Sequence, residues 1–361
     1  MSKDYLAKPS NLDTHYKALS LRYQNAPFRV CGKSGLKLPP LSLGLWQNFS
    51  DVDPYYNSRE MILGSFDLGI THFDLGNNYG KPPGSAEKTL GRILKEDLGR
   101  YRDELIISTK AGYDMWQGPY GENGSKKHIM ASIDQSLTRL GLDYVDIFYS
   151  HKFDKNTPLE ETMEALAQII KTGKALYVGI SSYGPEETKQ AFKILNSFGV
   201  RNIIAHQASY SLLNRWVEEG LLETLEELGI GCVAFSSLAQ GLLSNKYTSG
   251  IIPEVSRMSN KETLLEKKIL NPEVLTALNG LAKIAKNRNQ TLSQMALAWV
   301  LRNKVVSSTV IGARSLEQIK ENLGSLNNLS FSEAELNQID QFAKNIPGVN
   351  LWPPNCQTSE V

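Results

Sequence analysis

Cysteine is scarce in this chain: Cys31, Cys232 and Cys356 are the only three in 361 residues. They are odd in number and far apart, which excludes a disulfide scaffold and suits a reducing compartment, each thiol reading as a small buried apolar residue. Surplus charge is absent too, since 39 basic residues face 38 acidic ones. The overall field therefore gives no reason to expect nucleic acid or an anionic membrane as partner. No apolar run is long enough to span a bilayer, and MSKDYLAKPSNLDTHYKALS lacks the apolar core of a signal peptide, so a cytoplasmic protein is expected. Histidine is sparse as well: His15, His72, His128, His151 and His206 show neither H-E-x-x-H nor paired spacing, and no metal site is expected. GISSYG is not the G-x-S-x-G of a serine nucleophile. CGKSG (Cys31 to Gly35) lacks the first glycine of a Walker loop, where Pro27 stands, and reads as a hairpin turn.

What the chain does have is enough apolar sequence for a large core, with 41% hydrophobic residues and no low-complexity block. After a hairpin in FRVCGKSGLKLP come the candidate strands LSLGLW, ITHFDL, ELIISTK, VDIFYSH, ALYVGIS, NIIAHQ, GCVAFSS and VSSTVIG. Helical patterns separate them. Met61, Ile62, Ser65 and Phe66 share one helical face, with Asn57 and Glu60 at capping-box spacing. Thr157 as N-cap, Pro158, Glu160 and a terminal Gly173 delimit another helix. Ser315 with Gln318, and Ser332 with Glu335, start extra helices at the C-terminal end.

Strands that are apolar on both faces and each followed by a helix predict a closed parallel sheet, an α/β (β/α)₈ TIM barrel with an N-terminal β-hairpin. An open doubly wound sheet would bring a glycine fingerprint after its first strand, and LSLGLWQNFS has none. The expected organisation is an N-terminal extension over 1–27, a single barrel domain over 28–351 and a tail over 352–361. Leu238 to Pro272 reads as a loop insertion.

Barrels perform chemistry at the carboxyl ends of their strands, so the polar residues closing each apolar run matter most. Asp74 closes the second run, Tyr79 follows in its loop, Lys110 closes the third and His151 closes the fourth. A carboxylate beside Lys110 holds the ammonium charged, and the ammonium is expected to draw the Tyr79 phenol down from its usual ~10, giving a tuned proton donor. His151 would orient a carbonyl oxygen for protonation. With no protein nucleophile in evidence, hydride from a reduced nicotinamide is the remaining candidate to attack the carbonyl carbon.

FDLGNNYG, ISTKAGY, DIFYSH, GISSYG, HQASYSLLNR, LAQGLL and VIGARSLEQIKENL, read in this order from Phe28 to Leu351, resemble the aldo/keto reductase family, and within it the potassium channel β-subunit branch. The resemblance implies a barrel whose tetrad is Asp74, Tyr79, Lys110 and His151, with NADPH as cofactor. It implies that Trp46, Ser181, Ser182, Gln207 and Phe235 hold the nicotinamide. Ser236, Leu238, Gln240, Gly241, Leu242, Lys246 and Arg257 would wrap the pyrophosphate, and Gly312, Arg314, Ser315, Gln318, Glu321 and Asn322 would meet the adenosine end. The substrate mouth would be Trp46, Asn78, Tyr113 and Trp116, with Lys81 and Lys152 available to a phosphate. Implied substrates are small aldehydes such as L-glyceraldehyde 3-phosphate or methylglyoxal, and the implied assembly is a homotetramer or octamer.

Two positions depart from the family's pattern: Ser237 replaces a usual proline, freeing the start of the pyrophosphate loop, and Gly76 replaces alanine, adding backbone freedom beside the acid. Two other readings stay open. A Schiff-base aldolase would use Lys110 as nucleophile. A regulatory subunit resembling channel β-subunits would keep the cofactor and act through a partner, although His151 stands where those subunits commonly carry asparagine.

Overall fold

A computed structural model describes residues 16–201, 203–254, 256–259, 269–344 and 346. The expected tail and the third cysteine, Cys356, lie outside the described residues.

The hairpin forms from β1 (Arg29–Val30) and β2 (Lys37–Leu38), paired antiparallel. Eight further strands follow: β3 (Leu41–Gly44), β4 (His72–Asp74), β5 (Ile106–Ala111), β6 (Val145–Ser150), β7 (Ala175–Ser181), β8 (Ala205–Ser209), β9 (Gly231–Phe235) and β10 (Val306–Ile311). They pair in parallel in chain order, and β10 closes on β3 to complete the barrel. Every residue of β3, β4, β6 and β8 is buried, so both faces of these strands are covered, as in a closed parallel sheet wrapped by helices. The helices α1 (Tyr55–Asp67), α2 (Ser85–Ile93), α3 (Lys126–Leu140), α4 (Leu159–Lys171), α5 (Pro185–Ser197) and α6 (Leu221–Leu228) cover the barrel, followed by α7 (Pro272–Asn287), α8 (Leu292–Leu301), α9 (Leu316–Leu323) and α10 (Glu333–Ala343).

Local starts were partly legible. Ser332 and Glu335 form the full reciprocal box on α10, whereas Ser315 caps α9 through the Gln318 amide while the Gln318 side chain turns to the Arg314 amide. Two expected caps are corrected. Pro54, with φ −61°, starts α1 before Asn57 can act, so Asn57 lies inside the helix. Thr157 donates its hydroxyl to Asp154 at 2.6 Å, and α4 begins after Pro158 with no side-chain cap. Gly173, at φ +74°, does end that helix.

Residues 16–27 pack against the barrel. Asp67 at the end of α1 accepts from the Tyr16 hydroxyl and the Leu19 amide, both at 2.7 Å, and the Arg22 guanidinium pairs with Glu104 over the ring of Phe66. A buried carboxylate ties the α2, α3 and β5 layer together: Glu87 accepts from Thr109 and from Arg139, each at 2.6 Å. Cys31 and Cys232 are fully buried, and burial pushes both thiols up to about 12, which makes them packing residues.

The approach of α2 to α3 depends on Gly91, where a Cβ would lie 2.4 Å from the Arg139 carbonyl oxygen. Gly91→Ala is expected to destabilise the fold by about 1–3 kcal/mol through overpacking against backbone. Urea unfolding measures it, and an unchanged midpoint would contradict this account of the contact.

Candidate active site

Pairing along the barrel decides which side chains meet. β4 and β5 place Asp74 opposite Ser108, so that Lys110, two residues on, points back across the same interior face. Lys110 is fully buried and donates to Asp74 Oδ2 at 2.6 Å, to the Leu75 carbonyl, and to Tyr79 Oη at 3.4 Å. An ammonium has three protons, and three acceptors meet it here. The other carboxylate oxygen of Asp74 accepts from Ser108 Oγ at 2.7 Å and from Gln207 Nε2 at 3.0 Å. Gln207, expected to hold a nicotinamide, is thus also a brace for the acid.

His151 closes β6 and turns its ring edge-on to Tyr79, at 5.7 Å between centroids, and to Tyr113, at 4.5 Å. The four expected tetrad residues therefore converge on one mouth. Burial, the Lys110 charge and the Lys152 charge hold His151 well below the usual imidazole range, so the ring is neutral and offers one N–H. Its buried Nδ1 has no partner among the described residues. The expected direction for Tyr79 is corrected: burial first, then the Asp74 and Tyr113 charges, push the phenol well above 10. Desolvating a phenolate costs more than one ammonium at 3.4 Å returns when that ammonium is neutralised by Asp74. The residue is a protonated donor. Lys110 itself is drawn below its ordinary value by burial, with the charge of Asp74 and its hydrogen bond opposing.

Gly76 also has a different role from the one expected. A Cβ there would sit 2.8 Å from the Tyr79 ring, so the glycine supplies space for the phenol rather than backbone freedom. Ser237 is buried and its hydroxyl meets that of Thr309 at 2.5 Å, a tie to β10 that proline could not make.

A cleft of about 690 Å³ runs from this mouth. Its walls include Trp46, Asn78, Tyr113, Ser181, Ser182, Gln207, Phe235, Ser236, Leu238, Gln240, Gly241, Lys246, Gly312, Arg314 and Gln318 of the expected set. Gln47, Asn48, Tyr247 and Ser293 also line it and were not anticipated, because nothing in their local sequence distinguishes them. Seven described residues of the expected cofactor and substrate set lie outside its wall. Leu242 is buried in the core, and Ser315 caps α9. Trp116 lies against the His128 ring at 4.9 Å, Lys81 is exposed on its loop, and Lys152 is buried over the Tyr113 ring with Glu122 at 3.4 Å. Glu321 is exposed and Asn322 buried on α9, and the Arg257 side chain lies outside the described residues.

The cleft fits a large polar ligand on its own evidence. Gln240 is buried with neither the nitrogen nor the oxygen of its amide partnered among the described residues. Buried amides without partners are costly, and a ligand with donors and acceptors removes the cost. Non-glycine residues in the left-handed region cluster here: Asn48, Ser182, Ser236 and Gln240 all line the cleft at φ between 54° and 71°. Burial, and after it the Arg314 charge, lower Lys246 with the Glu321 charge opposing, so two cations stand near each other at this end of the cleft.

The Asp74–Lys110 pair yields a direct test. Lys110→Met leaves a buried carboxylate without its cation and is expected to cost about 3–5 kcal/mol in chemical denaturation, and adding Asp74→Asn recovers most of it. Additive losses in the double variant would mean that the two residues are not coupled.

Comparison with known proteins agrees with this architecture. Residues 40–344 match the model of the Aldo/keto reductase family. The L-glyceraldehyde 3-phosphate reductases of Escherichia coli O157:H7 and K12 are each 56% identical over 335 residues, spanning 92% of this chain and 96% of the relative. A Schizosaccharomyces pombe protein whose name assigns it, provisionally, as a voltage-gated potassium channel subunit beta is 36% identical over 334 residues, spanning 90% of this chain and 95% of its own.

Proposed function

The chain belongs to the aldo/keto reductase family and is an oxidoreductase, and from that premise we propose that it reduces small aldehydes with NADPH, Tyr79 donating the proton. What carries this reading is the half-buried Tyr79 phenol, pushed well above its usual range and held 3.4 Å from an ion-paired lysine at the mouth of a cleft whose Gln240 amide is unpartnered among the described residues. Ser181, Ser182, Gln207 and Phe235 would hold the nicotinamide, Ser236, Gln240, Gly241 and Lys246 the pyrophosphate, and Arg314 with Gln318 the adenosine end.

When bound, reduced nicotinamide supplies a hydride to the carbonyl carbon. The chain's residues do the rest. His151, neutral, donates its N–H to the substrate oxygen and sets it beside Tyr79. The Tyr79 O–H bond breaks as charge develops on that oxygen, and the proton passes to it, giving the alcohol. Lys110 stabilises the phenolate left behind, and Asp74 keeps Lys110 charged and aimed. Trp46, Asn78 and Tyr113 form the rim, which suits a short polar aldehyde.

L-glyceraldehyde 3-phosphate is the substrate supported best, through the 56% identity to reductases that bear its name. Methylglyoxal is a smaller compound of the same class. Lys152, buried beside Glu122, and the exposed Lys81 are the cations proposed for the substrate phosphate, and both stand outside the cleft wall. The cytoplasm is the proposed compartment. The aldolase reading is disfavoured, because the Lys110 nitrogen is fully buried and engaged with three acceptors, out of reach of a substrate carbon.

NADPH oxidation with L-glyceraldehyde 3-phosphate and with methylglyoxal tests the reading. The native protein turns over at least one of them, and Tyr79→Phe lowers kcat by about 10²-fold or more while NADPH binding, followed by fluorescence, survives. Undiminished turnover by the variant would remove the mechanism. Cofactor choice is tested at Arg314, whose guanidinium fork fits a 2′-phosphate. Arg314→Ala should weaken NADPH by about 1–3 kcal/mol and leave NADH almost unchanged, as read by titration calorimetry. Equal losses for the two cofactors would place Arg314 elsewhere.

A further inference from the structure

A line of buried hydrogen bonds crosses the barrel interior from the closed end to the active-site acid. Ser308 Oγ on β10 donates to the Pro39 carbonyl at 2.6 Å and meets Ser42 Oγ on β3 at 2.6 Å. Ser42 Oγ meets His72 Nδ1 at 2.8 Å, and His72 Nε2 meets Ser108 Oγ at 2.9 Å. Ser108 Oγ donates to Asp74 Oδ1 at 2.7 Å. Ser42, His72, Ser108 and Ser308 are all wholly buried.

Both ends of this line are pure acceptors, a carbonyl and a carboxylate. Each of its links needs a proton. Three hydroxyls and a neutral imidazole carry one apiece, which leaves one link of the five without any. If His72 donates to Ser108, its Nδ1 must accept from Ser42, and two hydroxyl oxygens then face each other at 2.6 Å with no proton between them. If His72 donates to Ser42 instead, Ser108 cannot serve both its nitrogen neighbour and Asp74. A doubly protonated ring closes every link: Nδ1–H to Ser42, on to Ser308 and Pro39, and Nε2–H to Ser108, on to Asp74.

We propose that His72 is a positioning residue that stores this extra proton as an imidazolium, ion-paired with Asp74 through the Ser108 hydroxyl. Asp74 then has a cation on each side, Lys110 on Oδ2 and His72 through Oδ1. A carboxylate held between two cations is fixed in orientation while protons move at Tyr79. The inference rests on the reductase reading only for this consequence; the charge itself does not depend on turnover.

Opposing physics is present. Burial draws the imidazole down to about 4, with the Asp74 charge opposing and the Lys110 charge adding to it. Those are the charged groups that act on the ring, and the groups that meet its nitrogens, Ser42 of β3 and Ser108 of β5, are neutral hydroxyls. Hydrogen bonds that close only around the charged ring favour the charged form, and an unclosed oxygen pair in a fully buried line is the alternative.

Nitrogen-15 NMR of histidine-labelled protein decides the matter, with His72 assigned through its backbone. Two protonated ring nitrogens at pH 7 are expected. Ser42→Ala removes two links and only one proton, so the shortened line closes with a neutral ring, and Nδ1 should lose its proton in that variant. A bare Nδ1 or Nε2 in the native protein would overturn the proposal, and so would a ring that stays doubly protonated in Ser42→Ala. If Ser42→Ala does not fold, the native spectrum alone decides. Because the readout needs no substrate, an inactive but doubly protonated protein would separate failure of the reductase reading from failure of this one.

Discussion

The buried ion pair between Asp74 and Lys110 is the constraint around which the rest of the molecule is arranged. Two charges taken wholly out of water are stable only when further hydrogen bonds support the pair, and here every ammonium proton and both carboxylate oxygens are engaged. Ser108 and Gln207 satisfy one carboxylate oxygen, Lys110 the other, while Leu75 and Tyr79 take the remaining ammonium protons. This demand fixes the register of β4 on β5, since a slip of one residue would turn Lys110 out of the barrel and leave Asp74 alone in it. It also fixes β8, whose Gln207 must arrive from the far side of the sheet.

Tyr79 is tied to the same pair by space as much as by charge. Its ring lies where a side chain at Gly76 would intrude, and the loop that carries it leads into α2. Around it the neutral His151 and the protonated phenol hold opposite positions on the proton scale, each put there by burial. Groups whose environments set them apart in this way are suited to donor and orienter roles at one carbonyl.

Beyond the mouth the cleft is built against local preference. Ser182, Ser236 and Gln240 occupy left-handed backbone that their side chains disfavour, and Gln240 buries an amide with no partner among the described residues. Such costs are tolerated where the surrounding structure overdetermines the backbone, and the barrel does so by anchoring each loop to a closed strand. Lys246 and Arg314 add like charges at the far end, so the cleft carries donors and positive charge together.

The sequence by itself determined the strand and helix order, the hairpin, the closed barrel and the four residues at its mouth. Continuous apolar runs, turn glycines and strand-ending polar residues are local signals, and the chain carries them plainly. Resemblance also supplied most of the cleft wall. Tertiary structure alone decided the rest. It set the Tyr79 phenol above rather than below its ordinary value, because burial depends on everything packed around the ring. It moved Lys152 under Tyr113 and Trp116 onto His128, positions settled by the loop's path rather than by its composition. It assembled Ser308, Ser42, His72 and Ser108 into one line, from residues on four strands that no sequence pattern joins, because only closing the barrel brings β10 beside β3.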